Sequence, residues 1–392
     1  MKSGKVVVEG LYKVFGNQPK TAMEMLASGR SKEQIFSQTG QVVGVHNVSF
    51  EVQEGEIFVL MGLSGSGKST LIRLINRLIE PTAGSVCVDG HDIARMPRSQ
   101  LINLRRRDMS MVFQSFALMP HRTVLANASF GLEVAGVGRK ERERRALDVL
   151  EQVGLAAFAQ KLPRELSGGM QQRVGLARAL AVNPSLIIMD EAFSALDPLK
   201  RKEMQDVLLQ LQKNQRRTIM FVSHDLEEAL RIGSRIAIMA GGRIVQVGTA
   251  EEIVSRPADE YVRAFFKGVD TARYLTAGDL MQADAVPLVE HPLAQSLQLQ
   301  ANGMGLSFVI DQDRKFKGLL MHAAAPANGA AAPPAVTRVD CITSSMPLDQ
   351  VMERLLASRC PLPVVDSDGC YRGAVSQHRV LSILSKQRNT HV

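Results

Sequence analysis

The spacing of apolar residues changes near residue 60 and predicts a strand followed by a helix. Residues 57–61 form a continuous apolar run, which is typical of a buried strand. Farther on, apolar residues recur at helical spacing until Pro81, namely Leu71, Ile72, Leu74, Ile75, Leu78 and Ile79. The pattern therefore predicts a short strand, a glycine-rich loop and an amphipathic helix in direct succession.

The residues before this unit predict two strands separated by an insert. Residues 6–14 alternate in polarity, which predicts an edge strand, and residues 45–52 predict a second strand leading into 57–61. The insert, at about 17–40, predicts two short helices that Gly29 and Gly40 close.

Three later apolar runs each end in a polar residue with candidate chemistry. Residues 111–113 precede Gln114, residues 186–189 precede the pair Asp190 and Glu191, and the strand predicted over 218–223 precedes His224. An open parallel sheet carries its chemistry at the carboxyl ends of its strands. These four side chains are therefore candidates for a single site.

The loop between the first strand and helix fits the pattern G-x-x-x-x-G-K-[ST], which predicts a phosphate-binding loop. Its glycines let backbone N–H groups turn inward around phosphates, and the following helix points its positive end at them. We expect Lys68 to neutralise the β- and γ-phosphates and the Ser69 hydroxyl to ligate Mg²⁺. The predicted nucleotide contacts are Gly62, Leu63, Ser64, Gly65, Ser66, Gly67, Lys68, Ser69 and Thr70.

Roles for the strand-end residues follow from their chemistry. Asp190 suits a magnesium partner, while Glu191 points elsewhere and is placed to polarise an attacking water as general base. His224 is predicted to contact the γ-phosphate, and the Gln114 carbonyl to reach the magnesium ion or its water. An acidic helix cap is the alternative interpretation of the carboxylates, which residues 194–197 and the strand that ends before His224 disfavour.

A second anion site is predicted where a helix begins near residue 167 and continues through Leu180. A serine and two glycines at a helix N-terminus present donors to an anion. The candidate residues are Leu166, Ser167, Gly168, Gly169 and Gln171.

Composition limits the class of protein. The 392 residues suggest two or three domains, and 45% hydrophobic residues suffice for packed cores. The chain has no apolar run near the roughly 18 to 20 residues that span a bilayer and no signal segment, so we expect it in the cytoplasm. Its four scattered cysteines are predicted to be reduced and structural.

The net charge of +8 is compatible with a nucleic acid or an anionic membrane surface as partner. The densest basic run, at 139–145, is interleaved with glutamates and predicts a solvated helix face, as does the shorter run at 105–107. Phe15 either stacks on an adenine ring or belongs to the core.

Two strands joined by an acidic turn occur twice in the last third of the chain. Residues 305–320 are echoed by 361–376, with helical patterns before each, which indicates an internal repeat. Residues 323–335 are rich in Ala, Pro and Gly and predict a loop where the first repeat should have a helix.

Together these motifs resemble the ATP-binding subunit of ABC transporters over residues 1 to about 270. The resemblance implies an α/β fold, with a P-loop ABC-type ATPase domain and helical subdomain, that binds ATP and Mg²⁺. It also implies a homodimer in which the signature at 166–171 acts in trans, completing the ATP site of the other copy. The residues Ser194, Ala195, Leu196 and Asp197 correspond to the dimer loop.

The insert, the segments 111–120 and 189–198, and residues 268–270 more closely resemble the ATPase of glycine betaine/proline importers. That resemblance implies import of glycine betaine, proline betaine or choline through a membrane permease fed by an extracytoplasmic substrate-binding protein. It also implies a peripheral location on the cytoplasmic face of the inner (plasma) membrane, with no nucleic-acid partner.

The repeat resembles a smaller α+β tandem CBS domain at 277–392, with repeats at about 277–335 and 336–392. Such pairs are regulatory. Ser376 is followed three residues later by Arg379, where the adenosine-binding version has Asp, which argues against nucleotide binding. Structural dimer packing and sensing of ionic strength or an anionic lipid surface both remain open.

Three other functions are compatible with the sequence. One is a soluble ABC-type ATPase acting on nucleic acid or ribosomes, although the chain has one ATPase half and no sustained heptads. Another is an importer ATPase for a different small solute. The third is a ligand-binding module with a degenerate ATPase, which the intact Lys68, Glu191 and His224 disfavour.

Overall fold

The computed structural model describes residues 4–113, 117–194, 196–266, 275–283, 285–286, 288–290, 306–321, 336–358 and 360–388. The chain forms two compact units, Met1–Thr249 and Ala250–Val392. Residues 250–266 therefore pack with the second unit.

The strands of the first unit form two sheets. These strands are β1 Val6–Phe15, β2 Val42–Val52, β3 Ile57–Met61, β4 Ala83–Val88, β5 His91–Asp92, β6 Met109–Val112, β7 Leu186–Asp190, β8 Thr218–Ser223, β9 Arg235–Ala240 and β10 Arg243–Gly248. One sheet has the order β2-β1-β4-β5, and the other has the order β10-β9-β3-β8-β7-β6.

The first strand lies inside its sheet, so the prediction of an edge strand was wrong. β1 pairs antiparallel with β2 on one side and with β4 on the other. Alternating polarity reports only that one face of a strand is buried, and an interior strand of a half-exposed antiparallel sheet has the same pattern.

The six-stranded sheet brings the predicted site residues to one edge. β9, β3, β8, β7 and β6 are parallel to one another, whereas β10 pairs antiparallel with β9. Every residue of β3, β7 and β8 is buried, as their continuous apolar runs predicted. In register, Met61 lies beside Ser223 and Asp190 beside Val222, so the segments that follow these strands begin together.

Some helices of the first unit pack on its strands, and others pack on one another. The helices are α1 Pro19–Ala27, α2 Lys32–Thr39, α3 Lys68–Ile75, α4 Arg98–Arg107, α5 Val124–Ala128, α6 Phe130–Val134, α7 Arg139–Gln152, α8 Gly168–Ala181, α9 Pro198–Gln215 and α10 Leu226–Ile232, with short 3₁₀ turns at Ala156–Phe158 and Pro163–Glu165. Helices α5, α6 and α7 pack against α8 and form a helical subdomain.

The two helices of the insert agree with the prediction. Ser31 caps α2 by accepting a hydrogen bond from the Gln34 amide, and Gly40 ends the helix with a φ of 67°. Helix α3 is shorter than predicted. It ends at Ile75, and Arg77 has a φ of 50°, which ends the helical path before Pro81.

The two basic runs differ. On α7, the predicted solvated face is confirmed, because Arg144 and Arg145 pair with Glu141 at 2.9 and 2.6 Å and lower its pKa to about 2. On α4, the Arg105 guanidinium is partly buried and donates to the Asn76 carbonyl at 3.0 and 2.7 Å. The prediction of a purely solvated run was therefore wrong for Arg105.

The second unit contains two small sheets. Its elements are α11 Ala250–Ser255, α12 Glu260–Phe265, α13 Ala277–Leu280, β11 Leu288–Glu290, β12 Leu306–Ile310, β13 Phe316–Met321, β14 Val336–Thr337, β15 Ile342–Thr343, α14 Leu348–Ala357, β16 Leu362–Val365, β17 Tyr371–Val375 and α15 Gln377–Arg388. The strand orders are β11-β12-β13-β14 and β15-β16-β17.

The repeated strand pairs are present, and their turns share one hydrogen-bond pattern. β12 pairs antiparallel with β13, and β16 with β17. Asp311 Oδ1 accepts from the amides two and four residues later at 3.1 and 2.8 Å, and Asp366 Oδ1 does the same at 3.0 and 2.9 Å. The acidic residue therefore forms the turn in both copies. The helix predicted before β12 and the loop at 323–335 lie outside the described residues.

Two findings concern the whole described chain. All four cysteines are free thiols. None of the described helices combines the length and apolar character needed to cross a lipid bilayer.

Candidate functional site

The predicted phosphate loop forms a tight turn between β3 and α3. The Lys68 ammonium folds back and donates to the Gly62 and Leu63 carbonyls at 2.8 and 3.0 Å. Gly67 precedes α3 with a φ of 101°, and a Cβ there would lie 2.5 Å from the Gly44 carbonyl oxygen. Only glycine fits this position, because the backbone is left-handed and the neighbouring chain is too close.

The loop contains polar groups that an anion would satisfy. The Ser66 hydroxyl is buried and has no hydrogen-bond partner among the described residues, which is a costly arrangement without a ligand. Lys68 is only 5% exposed, and its burial lowers its pKa, against the opposing effect of Glu191 and Asp190. A phosphate group would offer both side chains an acceptor and a negative charge.

Two oxygen donors next to the loop fit a magnesium ion. The Ser69 hydroxyl donates to Asp190 Oδ1 at 3.0 Å, so the last residue of β7 meets the first turn of α3. Asp190 is 6% exposed, and burial raises the pKa of its carboxyl, while the Ser69 hydrogen bond opposes that rise. Magnesium prefers such oxygen ligands. Gln114, the third predicted magnesium residue, lies outside the described residues.

Glu191 and His224 lie together at the carboxyl ends of β7 and β8. Glu191 Oε2 is 3.4 Å from His224 Nδ1. The Glu191 backbone has a φ of 46°, and its amide donates to the Val222 carbonyl at 3.2 Å. A left-handed conformation is costly for a glutamate, and such strained residues concentrate at functional sites. Glu191 therefore contacts His224, whereas Asp190 contacts Ser69.

The residues around His224 are fixed by a network of hydrogen bonds. The Ser223 hydroxyl donates to Glu228 at 2.6 Å, and the Arg201 guanidinium pairs with Asp225 at 2.7 Å. Burial raises the pKa of Glu228, whereas hydrogen bonds from Ser223 and Gln205 oppose that effect. The His224 side chain itself is 57% exposed and can reach a ligand above the sheet edge.

The signature segment forms the beginning of α8. Ser167 caps the helix by accepting from the Met170 amide at 3.4 Å, and both Ser167 and Gly168 are exposed. The Gln171 side chain donates to the Pro163 and Leu166 carbonyls at 3.0 and 3.2 Å. Gln171 therefore holds the preceding turn in shape, while the helix N-terminus stays open to an anion.

A residue that the sequence reasoning did not single out connects the signature helix to the turn at Glu191. Gln172 is 1% exposed, and its side-chain amide donates to the Ala192 carbonyl, next to Glu191. The helical spacing of α8 could have placed Gln172 on its inner face, opposite Ser167, but could not have named its partner.

The predicted dimer loop follows directly. The Ser194 hydroxyl donates to the Glu191 carbonyl at 2.9 Å, and Leu196 is buried. Asp197 caps α9 by accepting from the Lys200 amide at 3.1 Å. The fourth residue, Ala195, lies outside the described residues.

Phe15 lies close to the phosphate loop at the end of β1. Its side chain is 38% exposed, and the Lys13 ammonium is 5.2 Å from the ring centroid. A Cβ at Gly44 would lie 2.8 Å from the ring and 3.5 Å from the Thr70 methyl group. Exposure and this position favour a stacking surface over a core aromatic.

Two family models match the chain. The model described as ABC transporter matches residues 45–194, and the model described as CBS domain matches residues 335–386. The first match contains the phosphate loop, the signature and the acidic pair. The second contains the later of the two repeats.

Proteins of known function resemble the chain over nearly its whole length. The glycine betaine/proline betaine transport system ATP-binding protein ProV of Salmonella typhimurium is 48% identical, with 98% of both chains covered. The glycine betaine transport ATP-binding protein OpuAA of Bacillus subtilis is 46% identical, covering 97% of this chain and 92% of its own. The chain belongs to the ATP-binding proteins of glycine betaine ABC transporters.

This membership confirms the predicted family and the predicted fold class. A solved dimeric ATP-binding cassette, in a post-hydrolysis state bound to ADP and phosphate, is 32% identical with a TM-score of 0.53. The alignment covers 62% of this ABC protein and 98% of the solved chain. The ABC fold and the binding of ATP by this chain follow from these comparisons.

Proposed function

We propose that this chain hydrolyses ATP to drive the import of a quaternary amine osmoprotectant through a membrane permease. Relatives that match it over nearly their full length are named for transport of glycine betaine, proline betaine or carnitine. They favour transport over the nucleic-acid and ribosome alternatives. A quaternary ammonium is usually held by Trp and Tyr faces, yet this chain has no Trp and four Tyr. Solute selection therefore belongs to the permease and an extracytoplasmic binding protein.

In the proposed reaction, each residue at the sheet edge has a separate role. Lys68 and the phosphate-loop amides bind the β- and γ-phosphates, and the Ser66 hydroxyl donates a hydrogen bond to a phosphate oxygen. Ser69 and Asp190 would hold Mg²⁺, which when bound neutralises phosphate charge. Glu191 accepts a proton from the attacking water, and His224 contacts the γ-phosphate and fixes the geometry of attack.

One observation carries this assignment. Glu191 is held in a left-handed turn with its carboxylate 3.4 Å from His224. An acidic cap would need neither the strain nor the histidine partner. This pair lies at the same sheet edge as Lys68, where a nucleotide γ-phosphate would end.

We also propose that the active form is a head-to-tail homodimer. The phosphate loop can cover only one side of the γ-phosphate, and the exposed Ser167 and Gly168 offer donors for the other side. The similar solved cassette is dimeric, which supports this arrangement. Ser194 to Asp197 would then lie at the dimer interface.

Mixed dimers test the composite site. Mixing Ser167→Arg chains with Lys68→Ala chains produces dimers in which one site carries both defects and the other carries neither. We expect ATP hydrolysis to recover in the mixture relative to each parent. Wild-type activity of the Ser167→Arg homodimer would contradict a signature that acts across the interface.

An apolar groove on the first unit supports a docking site for the permease. It has a volume of about 300 Å³, and its lining includes Ile102, Phe130 and Val134 together with three arginines. One of these, Arg178, donates to the Ala117 carbonyl at 2.6 Å. Ala117 belongs to the segment 115–121, which we expect to dock on the permease, with Phe116 and Met119 as candidate apolar contacts. Phe116 lies outside the described residues.

Site-specific crosslinking tests this docking. A cysteine at Leu118, in a chain whose native cysteines are replaced, should crosslink to a membrane chain, and the yield should change with ATP. A cysteine at Ser37, on the exposed surface of α2, is the matched control. Crosslinks from Leu118 only within its own chain would contradict the proposal.

The location and regulation follow from this assignment. A subunit docked to a permease lies peripherally on the cytoplasmic face of the inner (plasma) membrane. The C-terminal tandem pair is proposed to regulate it by sensing ionic strength or an anionic lipid surface. Arg379, which stands where a ribose-binding carboxylate would be expected, instead pairs with Glu251. That pairing supports a role other than adenosine binding.

A further inference from the structure

The helical insert places a lysine against the nucleotide site. Lys32 is the first residue of α2, and its ammonium donates to the Val43 carbonyl at 3.1 Å. The next residue, Gly44, lies beside the Phe15 ring, and its carbonyl contacts Gly67 of the phosphate loop. The Lys32 ammonium therefore contacts the residue that precedes Gly44, and Gly44 lies between Phe15, the predicted adenine-stacking residue, and the phosphate loop.

A second contact leads to the same loop. The Lys32 ammonium lies so close to Gly242 that a Cβ there would collide with it. The Gly242 amide donates to the Ser66 carbonyl at 2.8 Å. Segments 43–44 and 242, which also contact each other, thus place Lys32 next to Ser66 and Gly67 at the helix end of the phosphate loop.

The charges around Lys32 are unfavourable without an anion. Burial lowers its pKa, and the nearby Arg243 guanidinium lowers it further, while Glu33 opposes them. Arg243 hydrogen-bonds the His46 ring at 3.1 Å. Among the described residues, neither Lys32 nor Arg243 forms an ion pair with a carboxylate, and Val43 provides the acceptor for one of the three ammonium donors.

We propose that Lys32 is a nucleotide-binding residue that contacts the phosphate chain of ATP. A half-buried ammonium with spare donors fits a phosphate oxygen, and the phosphate loop brings that anion to it. The insert would thereby sense nucleotide occupancy directly. The proposal rests on the ATP site described above and adds a residue to it.

Calorimetric titration of the full chain with ATP tests the contact. Lys32→Met keeps the methylene stem and removes the charge, Lys32→Arg keeps the charge, and Lys20→Met removes an exposed lysine from α1 as the matched control. We expect Lys32→Met to weaken ATP binding about tenfold at about 0.05 M salt and less at about 0.3 M, because screening reduces an ionic contact. Lys32→Arg and Lys20→Met should stay within about twofold of the wild type.

Two further measurements separate binding from a structural role. Adenosine, measured by competition against a fluorescent nucleotide, should bind Lys32→Met and the wild type equally, because it lacks the phosphates. Equal ATP affinity for Lys32→Met and the wild type would overturn the proposal. An equal loss of affinity for ATP and for adenosine in Lys32→Met would also overturn it. So would a Lys32→Met protein whose Tm is lower without ATP but rises on adding ATP as much as that of the wild type. Failure of the wild type to bind ATP would instead contradict the ATP site itself.

Discussion

Replacing Glu191 by Gln isolates the proposed general base with little change in structure. The amide has the same shape, its oxygen can still face His224 at 3.4 Å, and the left-handed φ of 46° strains Gln as it strains Glu. Stability should therefore change little. The variant loses only the ability to accept a proton from water.

The expected loss is in the chemical step. Removal of a general base costs roughly 10² to 10⁴ in rate, or about 3 to 5 kcal/mol of barrier. ATP binding should persist, because Lys68 and the phosphate loop are unchanged. The variant should then accumulate as a dimer that traps ATP between its two copies.

Two assays measure these effects. Single-turnover phosphate release gives the rate, and size-exclusion chromatography with ATP gives the dimer. Glu54→Gln, an exposed glutamate in the turn before β3, is the matched control and should hydrolyse ATP like the wild type. Turnover of Glu191→Gln within about threefold of the wild type would refute the assignment.

Three further predictions concern other parts of the chain. Phe15→Ala should weaken ATP binding by about 1 to 3 kcal/mol through lost stacking, whereas Phe36→Ala, an exposed aromatic on the insert, should not, as equilibrium titration can check. Lys68→Ala should abolish tight nucleotide binding in the same titration and leave the Tm of the free protein within a few degrees. Phe308 is fully buried, and its ring centroid is 5.2 Å from that of Phe316. Phe308→Ala leaves a cavity there and should lower the free energy of unfolding of the second unit by about 3 to 5 kcal/mol in denaturant unfolding. ATP hydrolysis by that variant should persist while its response to salt is lost.

Local signals explain why much of the fold could be predicted from sequence. A continuous apolar run predicted each of the strands β3, β7 and β8, because strands buried on both faces have almost no exposed polar positions. Ser31 and Gly40 predicted where α2 begins and ends, because a capping side chain and a left-handed glycine both interact with backbone groups close to them in the sequence. The repeated acidic turns gave the two hairpins for the same reason.

Features that depend on distant neighbours could not be predicted in this way. The interior position of β1 depends on β4, which follows about 70 residues later and pairs with it only in the folded chain. The roles of Gln172 and Lys32 depend on Ala192 and Gly242, whose carbonyl and α-carbon come near them only through tertiary packing. Sequence motifs therefore located Lys68, Asp190 and Glu191, but not the residues that hold the site together.

The most direct test of the proposed function is ATP-dependent solute uptake by the reconstituted transporter. The chain, its copurified permease and the binding protein would be placed in proteoliposomes containing ATP and Mg²⁺, with radiolabelled glycine betaine outside. We predict uptake with the wild-type chain and the Glu54→Gln control, and a rate at least about 10²-fold lower with Glu191→Gln. Equal uptake by the wild-type and Glu191→Gln transporters, or uptake without ATP, would contradict the account.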